Sequence, residues 1–256
     1  MTGAGTAGLA GGAGTGGIGC AGILFDLDGV LVHSAEPVRR SWRRWAREHG
    51  LPERTVLGAA HGRRTVDTLR VLAPYVDAEA EAARLEAVQS EDTDGVTAGV
   101  GALTLVSLLP PGSWAVVTSG TRRLALARLA AAGLPPVAGL ICGDDVSAGK
   151  PSPEGYLRGA DLLGLPPHEC VVFEDAVAGI EAGHAAGMTV VGVSGQQPPG
   201  DLAIADVVVG ELAEVGVSPG SPGRLVVSFA APAPGNAPVP GSGRVQGRAA
   251  AAEVPG

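Results

Sequence analysis

Short apolar runs alternate with longer stretches of helical periodicity along the middle of this chain. Each short run is bounded by glycine or polar residues. Fully apolar runs of this length indicate strands that are buried on both faces. Strands are predicted at residues 23–25, 114–118, 140–142, 171–173, 189–193 and 206–209.

Helical spacing of apolar residues fills the segments between these runs. The first helix is predicted to follow Ser34 as its N-cap, with Val38, Trp42 and Trp45 on one face until Gly50 ends the pattern. Further helices are predicted at residues 64–72, 78–89, 100–109, 122–132, 156–163 and 180–186. Strands that alternate with helices predict an α/β fold, a Rossmann-like parallel sheet with helices on both faces.

Composition divides the chain into a core, an insertion and two low-complexity ends. Residues 1–19 are almost entirely Gly, Ala and Thr and are predicted to be a disordered extension. Residues 216–256 are a Pro/Gly/Ala-rich tail in which only residues 225–229 could form a strand. The α/β core is therefore predicted at residues 20–33 and 94–215. Residues 34–93, which contain helical patterns only, are predicted to be an all-helical insertion after the first strand.

Charge and hydropathy exclude several classes of function. The chain has 256 residues, a net charge of -8 and only 3% aromatic residues, so no nucleic-acid partner is expected. The sequence has neither an apolar run long enough for a membrane span nor a signal peptide, so no membrane is expected and the cytoplasm is predicted.

Cys20, Cys142 and Cys170 are widely spaced, which favours buried thiols over a disulfide framework. Gly3, Gly5 and Gly8 match a dinucleotide-binding glycine pattern, but no strand precedes them.

Two aspartates stand directly after the first predicted strand. Asp26 and Asp28 are two residues apart, so an extended backbone would direct both carboxylates to one side. Two acids this close repel each other unless a cation or a shared proton lies between them. A calcium-binding loop is excluded because the twelfth position of that motif is Pro37 instead of glutamate. By itself the pair is equally compatible with a solvated turn.

Other polar residues follow later strands or loops: Thr118, Ser119, Lys150, Glu174 and Asp175. Each alone could be an ordinary turn or surface residue. Ligands in open parallel sheets bind beyond the carboxyl ends of the strands, so these groups are expected to meet. Carboxylates suit Mg²⁺, and the lysine and hydroxyl donors suit phosphoryl oxygens. The combination predicts a phosphate site in which one carboxylate attacks phosphorus and another transfers a proton.

Four motifs, FDLDGVLV, VVTSG, GKPSPEGYL and VVFEDAVAGIEAG, occur in this order. Together they resemble the haloacid dehalogenase superfamily of phosphohydrolases over residues 20–210. The helical insertion between the first two motifs is similar to the subfamily whose small helical cap closes over the active site. Within that subfamily the chain resembles sugar phosphatases of the 2-deoxyglucose-6-phosphate and glycerol-3-phosphate type. His33 stands where the family often has aspartate, which affects only the local turn.

The resemblance implies a Mg²⁺-dependent phosphomonoester hydrolase that acts on a small sugar or polyol phosphate. Asp26 would be the nucleophile that forms an aspartyl-phosphate, and Asp28 the general acid and base. The cap loop at His61, Arg63 and Arg64 would select the substrate. The resemblance implies Mg²⁺ ligands from Asp26, Asp28, Asp175 and Glu174, and phosphate contacts from Thr118, Ser119 and Lys150.

Three other functions are possible for a chain with these motifs. A β-phosphoglucomutase-like phosphosugar mutase has a similar pair of aspartates and remains the alternative. Dehalogenation is disfavoured because those enzymes lack the second aspartate. A non-catalytic binding protein is disfavoured because such proteins usually lose the acidic residues that are present here. The expected partner is a small phosphorylated metabolite, and the expected assembly is a monomer or weak dimer.

Overall fold

The structure is a computed structural model that describes residues 17–195 and 199–230. Its strands are β1 (Ile18–Cys20), β2 (Gly22–Phe25), β3 (Val32–His33), β4 (Thr97–Ala98), β5 (Trp114–Val117), β6 (Leu140–Ile141), β7 (Cys170–Glu174), β8 (Thr189–Val193), β9 (Val207–Val209), β10 (Val215–Pro219) and β11 (Leu225–Phe229). Six of them form a parallel sheet in the order β6-β5-β2-β7-β8-β9. All six strands predicted for the core are present in this sheet, and the predicted α/β fold class is confirmed.

Helices cover both faces of the parallel sheet. The helices are α1 (Ala35–Glu48), α2 (Glu53–Ala60), α3 (Thr65–Leu72), α4 (Ala78–Glu91), α5 (Ala102–Leu108), α6 (Arg122–Ala131), α7 (Glu154–Leu162) and α8 (Val177–Ala185). Ile23 and Phe25 of β2 join a buried cluster with residues of α5 and α6. Leu24 points to the other face and joins a cluster with residues of α7 and α8. The alternation of side chains along one buried strand thus explains the two apolar layers.

Helices α1 to α4 pack around an apolar cluster of their own. The cluster contains Trp42, Trp45, Val56, Leu69 and Leu85. Helix α2 was not predicted, because Val56 is the only buried residue along it and one position carries no periodicity.

Helix α1 begins after Ser34, as predicted, but the Ser34 side chain does not cap it. Its hydroxyl instead donates a hydrogen bond to the Asp28 carboxylate. The side chain at the helix start is therefore directed to a candidate site residue. Tertiary contact with a charged acceptor has replaced the local hydrogen bond that the sequence suggested.

Described strands also lie at residues 18–19 and 216–229, in the segments that composition assigns to the two ends. Strand β1 pairs with β11 and β11 with β10, in a three-stranded antiparallel sheet. Leu225 and Val227 are buried in the cluster that also contains Ile23 and Phe25, on the face of the parallel sheet that α5 and α6 cover. The alternating apolar residues of β11 form a buried face, although the Gly and Pro content around them lowers the average hydropathy. Gly3, Gly5 and Gly8 lie outside the described residues.

The described residues include no helix that is both long and apolar enough to cross a membrane. The three cysteines are free and buried, which confirms the predicted type of thiol. Burial raises the pKa of Cys20 and of Cys170 to about 11 and the pKa of Cys142 to about 12. These thiols are thus unlike the low-pKa cysteines of catalytic sites.

Candidate active site

The register of the central strands brings the predicted site residues to one edge of the sheet. Phe25 of β2 pairs with Val116 of β5 on one side and with Phe173 of β7 on the other. The next residue, Asp26, therefore lies between the ends of the two neighbouring strands, and its backbone N–H donates to the Phe173 carbonyl at 2.9 Å. Thr118 directly follows β5. This edge is the position at which open parallel sheets bind their ligands.

Lys150 is the buried cation of this edge. Its Nζ donates hydrogen bonds to Asp26 Oδ1 and Glu174 Oε1, and to the Val117 carbonyl at 3.4 Å. Burial lowers the pKa of the Lys150 amine, but the adjacent Asp26 and Glu174 carboxylates outweigh it and hold that pKa well above its usual value. Lys150 is therefore a charged ammonium in the interior.

Glu174 has all of its acceptor directions occupied by protein donors. Its Oε1 accepts from Lys150 and from the Tyr156 hydroxyl at 2.9 Å. Its Oε2 accepts from the backbone N–H groups of Asp175 and Ala176 at 2.8 and 3.0 Å. A carboxylate held in this way serves to fix the position of Lys150. Tyr156 is a member of this network that sequence reasoning missed, since a tyrosine on an apolar helix face resembles an ordinary core residue.

Three carboxylates face one another around a single ammonium. Ligand atoms of Asp26, Glu174 and Asp175 lie within 4.8 Å of one another. Burial, with a smaller contribution from the nearby Glu174 carboxylate, raises the pKa of Asp26 to about 7 against the opposing effect of Lys150. Burial also raises the pKa of Asp175 well above its usual value, again with help from Glu174 and Asp26. The excess of negative charge and the carboxylate oxygens of Asp26 and Asp175 fit a divalent cation.

Gly29 makes room for the third carboxylate. Its φ of +85° lies in the left-handed region. A Cβ built at this position would lie 1.9 Å from Asp175 Oδ2. Only glycine satisfies both the backbone angle and the close approach.

Asp28 has a different environment from Asp26. One oxygen accepts from the Ser34 hydroxyl, and the other pairs with the guanidinium of Arg128 on α6. Arg128 was not singled out from the sequence, although a signal existed. It occupies the apolar face of its helix, four residues after Leu124, where a charged side chain needs a buried partner.

Thr118 and Ser119, the predicted phosphate donors, directly follow β5. The Thr118 hydroxyl is buried and accepts from the Gly120 N–H at 3.2 Å. The Ser119 hydroxyl donates to the Gly62 carbonyl of the cap loop at 2.9 Å. Thr118, Ser119 and Lys150 line one pocket, so the structure brings these predicted residues together.

The three predicted cap residues have different environments. His61 Nε2 lies 3.5 Å from Asp175 Oδ2, at the mouth of the site. Arg63 is exposed. The Arg64 guanidinium is occupied, because Nε and Nη2 donate to the Asp67 carboxylate at 2.6 and 3.0 Å. Its other bonds cross to backbone carbonyls of the core, at Gly143, Val146 and Ser147. Arg64 thus joins the cap to the core in this structure.

Comparisons with known proteins agree with this geometry. The family model of haloacid dehalogenase-like hydrolases matches residues 20–187. Hexitol phosphatase A of Escherichia coli K12 is 42% identical over 213 residues, which cover 81% of this chain and 99% of that protein. 2-Deoxyglucose-6-phosphate phosphatase 1 of Saccharomyces cerevisiae is 34% identical over 232 residues, 80% of this chain and 93% of that protein.

A solved structure is also similar to this chain. A hydrolase from Pseudomonas syringae superposes with a TM-score of 0.66 at 27% identity, over 73% of this chain and 92% of that one. The fold, the residues at the strand ends and the relatives all indicate the same family. The chain belongs to the haloacid dehalogenase-like hydrolases.

Proposed function

We propose that this protein is a Mg²⁺-dependent phosphatase that hydrolyses a small sugar or polyol phosphate through an aspartyl-phosphate. The observation that carries the proposal is the position of Asp26, which lies at the meeting point of three strand ends, in contact with a buried ammonium and close to two further carboxylates. The hexitol and 2-deoxyglucose-6-phosphate phosphatases among the relatives support the substrate class.

The residues of the site divide the reaction between them. An oxygen of Asp26 attacks phosphorus, the bond from phosphorus to the ester oxygen breaks, and Asp28 gives a proton to the departing alcohol. A water molecule then attacks the phosphorus of the aspartyl-phosphate while Asp28 takes up its proton, which releases phosphate and restores Asp26. Lys150, Thr118 and the Ser119 backbone N–H hold the phosphoryl oxygens during both steps.

The carboxylates of Asp26 and Asp175 and the backbone carbonyl of Asp28 are the proposed holders of Mg²⁺. The ion would reduce the repulsion between a carboxylate nucleophile and a phosphate dianion. Glu174 was also predicted as a ligand. Its four protein donors support an anchoring role toward Lys150 instead of direct contact with the ion.

Substrate choice is proposed to lie in the cap loop. His61 and Arg63 have exposed side chains, and His61 Nε2 lies 3.5 Å from Asp175 Oδ2, so this loop could meet the hydroxyl groups of a sugar or polyol. Arg64 shapes the same pocket while its donors are bound to protein acceptors. A cytoplasmic location and a monomeric or weakly dimeric state remain part of the proposal; the three free cysteines are consistent with a reducing compartment.

The mechanism is tested by removing the nucleophile. Asp26→Asn should lower phosphate release by on the order of 10³-fold or more, because the amide oxygen is a poor nucleophile. The substrates are a panel of sugar, polyol and nucleotide monophosphates with and without Mg²⁺. Asp161→Asn, at an exposed position of α7, is the matched control and should keep full activity. Full turnover by Asp26→Asn would refute the mechanism.

The same panel separates hydrolysis from the mutase alternative. With β-glucose 1-phosphate, a phosphatase releases inorganic phosphate and free glucose. A mutase produces glucose 6-phosphate instead.

A further inference from the structure

Arg128 is a buried arginine that bridges the core and the cap. Its side chain is 5% exposed, and one terminal nitrogen pairs with Asp28 Oδ2. The other terminal nitrogen donates to Gln89 Oε1 at 3.0 Å. Gln89 belongs to α4 of the cap, and its amide in turn donates to the Ser41 hydroxyl of α1 at 3.3 Å. A continuous set of hydrogen bonds therefore runs from Asp28 through α6 to two cap helices.

The contacts of Arg128 are those that a buried guanidinium requires. A charged group that leaves water must find partners in the protein, and the cost is large if they are missing. Among the residues that the structure describes, Asp28 is the only carboxylate within 4.0 Å of the Arg128 nitrogens. The position of the guanidinium thus determines where one oxygen of Asp28 lies.

Both oxygens of Asp28 are held in this way, since the Ser34 hydroxyl donates to the other. Each carboxylate oxygen has two lone-pair directions, so a direction on each oxygen remains open to a substrate oxygen or a water molecule. The arrangement restricts rotation of the carboxylate without consuming its capacity to exchange a proton.

We propose that Arg128 is a positioning residue that orients the Asp28 carboxylate and couples its orientation to the seating of cap helix α4. This inference rests on the proposed function, in which Asp28 transfers the proton. Because Gln89 is part of the cap, movement of α4 away from the core removes one of the two acceptors of Arg128. The cap can thereby influence the acid directly, in addition to covering the site.

The test compares two kinds of leaving group in Arg128→Met, a variant of similar length without the charge. An alcohol needs a proton from Asp28 in order to leave, whereas 4-nitrophenolate does not. For the alkyl phosphate that the wild-type protein cleaves fastest, kcat/KM should fall about 10- to 100-fold. For 4-nitrophenyl phosphate, kcat/KM should fall by less than about threefold. Equal losses on both substrates would overturn the proposal, since a general structural defect affects both alike.

Arg123→Met is the matched control for contact between α6 and α4. Arg123 lies on the same helix as Arg128 and reaches Glu91 of α4 at 3.3 Å, without contact to Asp28. Its activity on both substrates should equal that of the wild-type protein. A loss as large as that of Arg128→Met would show that any break between the two helices has the same effect, and would overturn the proposal.

Gln89→Leu tests the coupling to the cap with Arg128 and Asp28 intact. We expect kcat for the alkyl phosphate to fall while KM changes little, because the acid is misplaced after the substrate has bound. An unchanged kcat would overturn the coupling. This variant also carries the test if Arg128→Met does not fold.

A double-mutant cycle separates failure of this inference from failure of the proposed function. In an Asp28→Asn background, Arg128→Met should cause no further loss of activity, because Arg128 acts only through Asp28. Additive losses would overturn the positioning role. The proposed function fails on a different result, namely turnover by Asp26→Asn.

Discussion

Lys150 contacts two of the three carboxylates that the strand ends bring together. Its ammonium has little access to water, so Asp26 and Glu174 supply the stabilisation that water would otherwise provide. Tyr156 donates to Glu174 from the side and is itself fully buried. The folding of this region therefore depends on the contacts of Lys150, a residue that is also proposed to bind phosphate.

At the residue scale we expect Lys150→Met and Tyr156→Phe to differ in their cost to stability. Lys150→Met leaves two buried carboxylates without their counter-charge and should lower the free energy of unfolding by about 3–5 kcal/mol. Tyr156→Phe removes one of the four donors to Glu174 and should cost about 1–3 kcal/mol. Urea unfolding at neutral pH measures both. Equal stabilities of Lys150→Met and the wild-type protein would contradict this account of the site.

At the scale of elements, helix α8 lies unusually close to the end of β7. Gly179 is in the first half of that helix, and a Cβ built on it would lie 1.7 Å from Glu174 Oε1. Glycine is unfavourable inside a helix, so its presence here is explained by the close approach. The helix thereby leaves space for the carboxylate that anchors Lys150.

Gly179→Ala should therefore lower the free energy of unfolding and the phosphatase activity together, because either α8 or the Glu174 carboxylate must move. Gly58→Ala is the matched control, since Gly58 is also helical but has no atom within 4 Å of its added Cβ. Gly58→Ala should stabilise the protein by about 0.5–1 kcal/mol through helix propensity. Thermal unfolding and phosphate release measure the pair. A Gly179→Ala variant as stable as Gly58→Ala would show that the contact is unimportant.

At the scale of the whole molecule, residues near the end of the described chain complete the core around the parallel sheet. Strand β11 pairs with β1 on one side and with β10 on the other. Val227 of β11 is fully buried in the cluster on the sheet face that α5 and α6 cover. The core therefore includes β1, which precedes the first strand of the parallel sheet, and β10 and β11, which follow its last strand.

Val227→Ala should accordingly destabilise the protein by about 2 kcal/mol, the cost of removing two buried methyl groups and leaving a cavity. Val226→Ala, at the half-buried neighbouring position, should cost less than half as much. Chemical denaturation compares the two variants. Similar effects at both positions would indicate that β11 contributes little to the core.

The sequence by itself determined the six strands of the parallel sheet, seven of the eight described helices and the identity of the residues at the strand ends. Apolar runs and helical periodicity are local, so they can be read from one chain without knowledge of its contacts. Within the tail the sequence indicated only a possible strand at residues 225–229. Its burial could not be predicted, because it depends on alternate residues of β11 facing a sheet formed elsewhere.

Only the tertiary structure decided which charges meet. It placed Lys150 between Asp26 and Glu174, directed Ser34 and Arg128 to Asp28, and turned Arg64 toward the core. These pairs are separated by up to 124 residues, in the case of Lys150 and Asp26. Electrostatic and hydrogen-bond partners depend on distance in space, and no spacing along the chain encodes that distance before the sheet has formed.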